Sequence, residues 1–167
     1  MGLFSKLFGK EEKVTEQTVK AFATGDVVNI SEVPDPVFAQ KMMGDGFAIV
    51  PSEGVVVSPV DAEIVNVFPT KHAVGLKTSA GVELLIHIGL ETVSMQGEGF
   101  EAHVKEGDKV SAGDKLVTFD LELVKEKAKS TITPCVVTNM DAVESLTFLK
   151  ENTKVNFLDE VATVKLK

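Results

Sequence analysis

TKHAVGLKTSAGVELLIHIGLETV, residues 70–93, decides how the rest of the chain is read. Two alternating apolar runs, HAVGLKT and VELLIHI, flank the short polar turn TSAG. Period-two alternation on both sides of a small-residue turn predicts a β-hairpin. The hairpin also carries His72 and His87, two of the chain's 3 histidines. With Ser79 and Ala80 at the tip, or with a symmetric four-residue loop, Leu76 faces Glu83, Val74 faces Leu85 and His72 faces His87. A three-residue loop would break that register. Facing residues share one side of the sheet, with Cβ atoms roughly 5 Å apart, so the two imidazoles are expected as neighbours. Val74 and Leu85 then lie beside them, and the other face sets Ala73 and Gly75 against Ile86 and Leu84 as core packing.

Strand signals continue on both sides. DVVNI, GFAIVP, GVVVSPV, EIVNVF, KLVTFD, PCVVTN and EVATVKL are short apolar or alternating runs punctuated by Gly, Pro, Asp and Ser. Many short strands at regular spacing predict an all-β fold, a mainly antiparallel β-sandwich with short helices. One helix is expected in DPVFAQKMM, with Asp35 as cap, Pro36 in the first turn and Gly44 as stop. A second is expected in DLELVKEKAK, capped by Asp120. VKEGDKVSAGDKL repeats a V-x-x-G-D rhythm, each Gly-Asp a tight turn. The same rhythm occurs in the hammerhead strands of lipoyl and biotinyl domains, which points to a swapped or duplicated hybrid sandwich.

The chain has 167 residues, 44% hydrophobic, enough for one domain with a sizeable core. Its formal charge of -8 excludes a phosphate-backbone binder, and the absence of Trp and Tyr removes the best base-stacking side chains. No nucleic-acid partner is expected. Cys135 is the single cysteine, inside the apolar run TPCVVT, and reads as a packed residue. One thiol, no secretory apolar region and no run of roughly 20 apolar residues predict a cytoplasmic protein.

The first ten residues, MGLFSKLFGK, stand apart. Leu3, Phe4, Leu7 and Phe8 recur at helical spacing with Lys6 and Lys10, the pattern of an interfacial helix on an anionic membrane. Lys6 stands where a myristoylation site needs Ser or Thr. Residues 1–18 are therefore expected as tail and polar linker, and residues 19–167 as the domain.

A facing histidine pair allows three readings. Both rings can be satisfied members of a sheet. They can ligate zinc, although a zinc site needs further ligands, and His103 in EAHVKEGD is the candidate third. They can also serve proton or phosphoryl chemistry, one ring as nucleophile and the other as its electrostatic partner. Geometry alone leaves the last two open.

The chain resembles the glucose-type enzyme IIA family of the bacterial phosphoenolpyruvate-dependent sugar phosphotransferase system, in its stand-alone form, from about Thr24 onward. The resemblance rests on VPDPVFAQKMMGDGFAIVP, SPVDAEI, TKHAVGL, GVELLIHIGLETV, GEGF, VKEGDKVSAGDKLVTFD and TPCVVTNM. It implies that His87 is phosphorylated, that His72 helps hold the phosphoryl group, and that Thr70 orients His72. It further implies HPr as donor, a cysteine of a IIB domain as acceptor, and a mainly antiparallel sandwich. No cofactor is required, with zinc on His72 and His87 a secondary option. MGLFSKLF resembles the membrane-associating tail of family members, which implies a peripheral position at the inner membrane face through residues 2–10.

A docking rim follows. Phe38 and Met42, spaced i, i+4, are expected on one helix face, joined by Met43, Phe68, Val74 and Leu85 around the pair. Their plain alternative is core packing. Asp35 and Glu91 match acidic family positions that face basic groups of HPr. Three departures from the family pattern stand out: Glu91 replaces the usual Asp, Ala62 the usual Gly, and AFAT the usual opening of the first strand. The rivals fail on spacing. A lipoyl or biotinyl carrier would need its modified lysine near Leu123, and a lysostaphin-type zinc peptidase would need His-x-x-x-Asp and His-x-His.

Overall fold

The structure, a computed structural model, describes residues 15–167. The expected amphipathic tail at residues 1–10 lies outside them. Among the described residues, fourteen strands pair antiparallel throughout. They are β1 (Glu16–Lys20), β2 (Gly25–Asn29), β3 (Asp45–Pro51), β4 (Val55–Val57), β5 (Ala62–Val67), β6 (Ala73–Lys77) and β7 (Glu83–His87), followed by β8 (Phe100–Ala102), β9 (Lys109–Val110), β10 (Lys115–Phe119), β11 (Thr133–Val137), β12 (Val143–Phe148), β13 (Thr153–Val155) and β14 (Glu160–Leu166). Eight form one sheet in the order β13-β2-β3-β11-β7-β6-β5-β9, and two three-stranded sheets, β4-β10-β8 and β1-β14-β12, complete the sandwich. The all-β expectation holds. β1 begins at Glu16, inside the stretch expected as linker, and pairs with β14 from Glu16 to Lys20.

The central strands of the large sheet are buried on both faces. Inward, Phe47, Ile49, Val74, Leu76, Leu84, Ile86, Cys135 and Val137 join the main core. Outward, Ala48, Ala73, Leu85 and Val136 pack under Ile30, Val33, Phe38, Leu90 and Ile132 in a second cluster. A strand covered on both sides needs apolar residues at every position, which explains continuous runs such as PCVV and LLI. The candidate site borders this second cluster, whose Phe38 and Phe68 pack on His87 and His72.

The Gly-Asp turns are as expected, and there is a third. Asp108, Asp114 and Asp159 each accept, through a side-chain oxygen, the backbone N–H three residues earlier. The residue before each Asp has a left-handed backbone: Gly107, Gly113 and Leu158. Each turn grips one crossing residue by a pair of backbone bonds: Ile64, Ser58 and Ala21, respectively. The third turn carries Leu where the others carry Gly, so its sequence hides the repeat.

The first helix, α1 (Pro36–Ala39), is shorter than expected. Asp35 caps it through Val37 N–H, and Pro36 opens it, as predicted. It stops at Lys41 rather than Gly44. Lys41 is left-handed at φ 59. Met42 N–H bonds Val37 O and Lys41 N–H bonds Phe38 O, the Schellman arrangement. Met42 is therefore off the helix, 69% exposed, and shares no helix face with the buried Phe38. Gly44 instead lies against β11, where a Cβ would come within 1.9 Å of Val137 O. The second helix, α2 (Leu121–Lys127), is capped by Asp120 through Leu123 N–H, as expected. Among the described residues no helix is long and apolar enough to cross a membrane.

Candidate functional site

The hairpin forms, but its register is one residue off the expected one. Ala73, not His72, pairs with His87, and Gly75 pairs with Leu85. The loop is the odd one. Thr78 and Val82 close it through Thr78 N–H to Val82 O, Gly81 N–H bonds Thr78 O, and Gly81 has φ 98. That is a type I turn followed by a left-handed glycine, the three-residue hairpin loop. Asn139 fixes it from outside: its Oδ1 accepts Glu83 N–H at 3.0 Å, and its Nδ2 donates to Gly81 O at 2.7 Å.

The two imidazoles meet nevertheless. Their centroids are 4.8 Å apart at 77°. His72 precedes β6 and follows Lys71, whose φ of 62 is left-handed. Its carbonyl still takes Ile88 N–H. The turn at residues 68–71, closed by Lys71 N–H to Phe68 O, releases the His72 ring from the strand's alternation. His87 follows the strand, on the outward face with Leu85 across from Ala73 and Gly75. Small residues there leave room for two rings.

Each ring is held at Nδ1. Thr70 Oγ1 lies 2.5 Å from His72 Nδ1. His87 Nδ1 lies 2.8 Å from Gly89 O. A carbonyl only accepts, so the His87 proton is on Nδ1 and Nε2 carries the free lone pair. Gly89 has φ 71, and a Cβ there would come within 2.7 Å of Thr92 Cγ2 and 2.9 Å of Ser130 O. Phe38 packs on His87 at 5.3 Å and Phe68 on His72 at 5.5 Å between centroids.

Both rings favour the neutral form. His72 is 3% exposed, and burial first, then its neighbour His87, lowers its pKa from 6.5 to about 4. Burial lowers His87 as well, opposed by the Gly89 hydrogen bond and the charge of Asp35.

Of the residues expected at the site, His87, His72, Thr70, Phe38 and Phe68 are brought together, and Leu85 is in the same cluster. Val74 is not: with the odd loop it faces inward, paired with Ile86 and 1% exposed, so it forms no part of a rim. Met43 is exposed, and Glu91 is exposed with a left-handed backbone two residues past Gly89. His103 bonds Thr118 on β10 and joins no other ligand, and no cluster of three or more His, Cys, Asp or Glu could hold a metal among the described residues. Two imidazoles offer only two of the ligands a zinc ion takes. The residue that the hairpin pattern did not reveal is Gly89, whose carbonyl sets the His87 tautomer; its signal is the glycine two places after the histidine in HIG.

Residues 17–143 match the model of the phosphoenolpyruvate-dependent sugar phosphotransferase system EIIA 1 family. A Bacillus anthracis protein described as the PTS system glucose-specific EIIA component is 62% identical over 165 residues, 99% of this chain and 100% of its own length. The Bacillus cereus protein of the same description is 67% identical over 144 residues, 86% of this chain and 87% of its own length. Among solved structures, glucose permease IIA from Mycoplasma capricolum superposes with a TM-score of 0.84 at 44% identity, covering 89% of this chain and 95% of that one.

Proposed function

Because the chain belongs to the phosphoenolpyruvate-dependent sugar phosphotransferase system EIIA 1 family, we propose that it carries a phosphoryl group on Nε2 of His87, taken from phospho-HPr and passed to a cysteine of a sugar-specific IIB domain. The observation that carries this reading is the free Nε2 of a neutral His87 beside a second imidazole. In the first step the Nε2 lone pair attacks phosphorus in line, the new N–P bond forms, and the N–P bond to the HPr histidine breaks. In the second step a IIB thiolate attacks, a P–S bond forms, and His87 leaves with its Nε2 lone pair restored. Nδ1–H stays on Gly89 O throughout.

Such transfers need placement and charge stabilisation more than acid–base work. His72 supplies a donor when Thr70 O–H donates to its Nδ1, which leaves Nε2–H for a phosphoryl oxygen. All 17 basic residues are lysine, so no guanidinium of this chain clamps the phosphoryl group. Phe38 and Phe68 shield the pair from water, the competitor for a phosphohistidine. Met42 and Met43 offer adaptable apolar contact to two different partners, and Asp35 and Glu91 attract the basic side of HPr, mainly raising the association rate. Leu3, Phe4, Leu7 and Phe8 would lay the amino terminus on an anionic membrane surface near the permease. The chemistry requires no metal.

Incubation with phosphoenolpyruvate, enzyme I and HPr should add one acid-labile phosphate. A His87→Ala variant that still accepts phosphate overturns the site. Transfer against a panel of IIB domains would identify the permease served.

A further inference from the structure

Gly89 presents a problem that the rest of the site must solve. Its carbonyl selects the reactive tautomer of His87, yet a glycine is the residue whose flanking peptides rotate most freely. If the Gly89–Leu90 peptide flipped, the carbonyl would turn away and Leu90 N–H would face the ring. A donor there favours the tautomer protonated on Nε2, which has no lone pair to attack phosphorus.

Both peptides around Gly89 are pinned, by residues at and just before the start of β11 and by Thr92. Leu90 N–H bonds Ser130 O at 2.9 Å, and Lys129 N–H returns to Leu90 O at 3.1 Å. In the preceding peptide, Ile88 O accepts from Thr92 Oγ1 at 2.6 Å, and Gly89 N–H bonds Thr133 Oγ1 at 3.3 Å. Thr133 is 1% exposed and opens β11. Its hydroxyl proton goes to Thr131 O at 3.0 Å, so a lone pair is left for Gly89. Among the described residues it is the one side chain that holds the Gly89 N–H, a buried group for which a lost partner is costly.

We propose that Thr133 is a positioning residue for the His87 reaction, its hydroxyl locking the Gly89 peptide so that His87 presents a bare Nε2. This rests on His87 as the phosphoryl acceptor, but the tautomer can be read without any transfer. Removing the hydroxyl leaves Gly89 N–H buried without a partner and loosens the Ile88–Gly89 peptide, so Gly89 φ is freer and the adjoining Gly89 carbonyl is held by the Leu90 N–H to Ser130 O bond alone.

The test combines ¹⁵N NMR of the His87 ring with the rate of acceptance from phospho-HPr in Thr133→Ser and Thr133→Val. Thr133→Ser should keep the wild-type Nδ1–H tautomer and rate. Thr133→Val should show a mixture of tautomers and a rate roughly tenfold lower, with amide shifts outside the β7 end and the β11 start unchanged. If Thr133→Val does not fold, Thr133→Ala, which places no methyl against Gly89 N–H, carries the same expectation. A wild-type tautomer in the variant lacking the hydroxyl overturns the proposal. So does an altered tautomer with an unchanged rate, or a Thr133→Ser protein as impaired as Thr133→Val. Failure of His87 as acceptor would show separately, as phosphate accepted by His87→Ala.

Discussion

His72 and His87 meet edge to face with centroids 4.8 Å apart, and each is tied at Nδ1 to a group two residues away in its own chain segment. His72 bonds the Thr70 side chain, whereas His87 bonds the Gly89 backbone. The difference is chemical. A hydroxyl can donate or accept, so His72 can change which nitrogen carries its proton. A carbonyl cannot donate, so the His87 proton stays on Nδ1 and the free lone pair is at Nε2. The asymmetry supports the proposed roles, His87 as acceptor and His72 as donor.

His72→Gln should accept phosphate from HPr at close to the wild-type rate, because His87 and its tautomer lock are intact. Onward donation to IIB should fall by about 10²-fold, the usual loss for one donor to a developing charge. Thr70→Val should show a smaller loss of the same kind, restored by Thr70→Ser. Unchanged onward transfer in His72→Gln would count against its role.

Acid should weaken the fold through His72. Burial lowers its pKa from 6.5 to about 4, so between those values the unfolded state binds the proton and the folded state does not. Stability therefore rises with pH across that window and is lost on acidification, by about 3 kcal/mol in total. Urea midpoints measured at pH 7 and pH 4.5 should differ less in His72→Gln than in the wild type. An equal difference would contradict the assignment.

Asn139→Ala should lower stability by about 2 kcal/mol, for two hydrogen bonds lost at the hairpin tip. The denaturation midpoint measures this, and amide exchange at Glu83 should quicken. Phosphoryl acceptance should change little, since the site lies at the other end of β7.

Cys135 should be inert in the native protein. It is wholly buried in β11, and burial pushes its thiol up to about 12. An aromatic disulfide reagent should react with it only after denaturant is added. Fast native reaction would mean that β11 opens locally.

The hairpin was legible because alternation and a small-residue turn are local properties. Its parity was not, because Gly81 and Asn139 set the loop together and lie 58 residues apart. The pair was expected to face across a ladder and instead meets through the left-handed turn at Lys71, a conformation that lysine rarely signals. The same cause shortened α1, where Lys41 ends the helix as glycine usually does. Val74 was misplaced by the register alone, since a one-residue slip reverses every face. The two-sided burial of β6, β7 and β11 was written in the unbroken apolar runs, but alternation, read by itself, suggested only one covered face.

The central claim is most directly tested by locating the phosphate. After transfer from phospho-HPr, ³¹P and ¹⁵N NMR of the ring-labelled protein should place it on Nε2 of His87, with Nδ1–H still present and hydrogen-bonded to the Gly89 carbonyl. Phosphate on His72, or on Nδ1 of His87, would contradict the account.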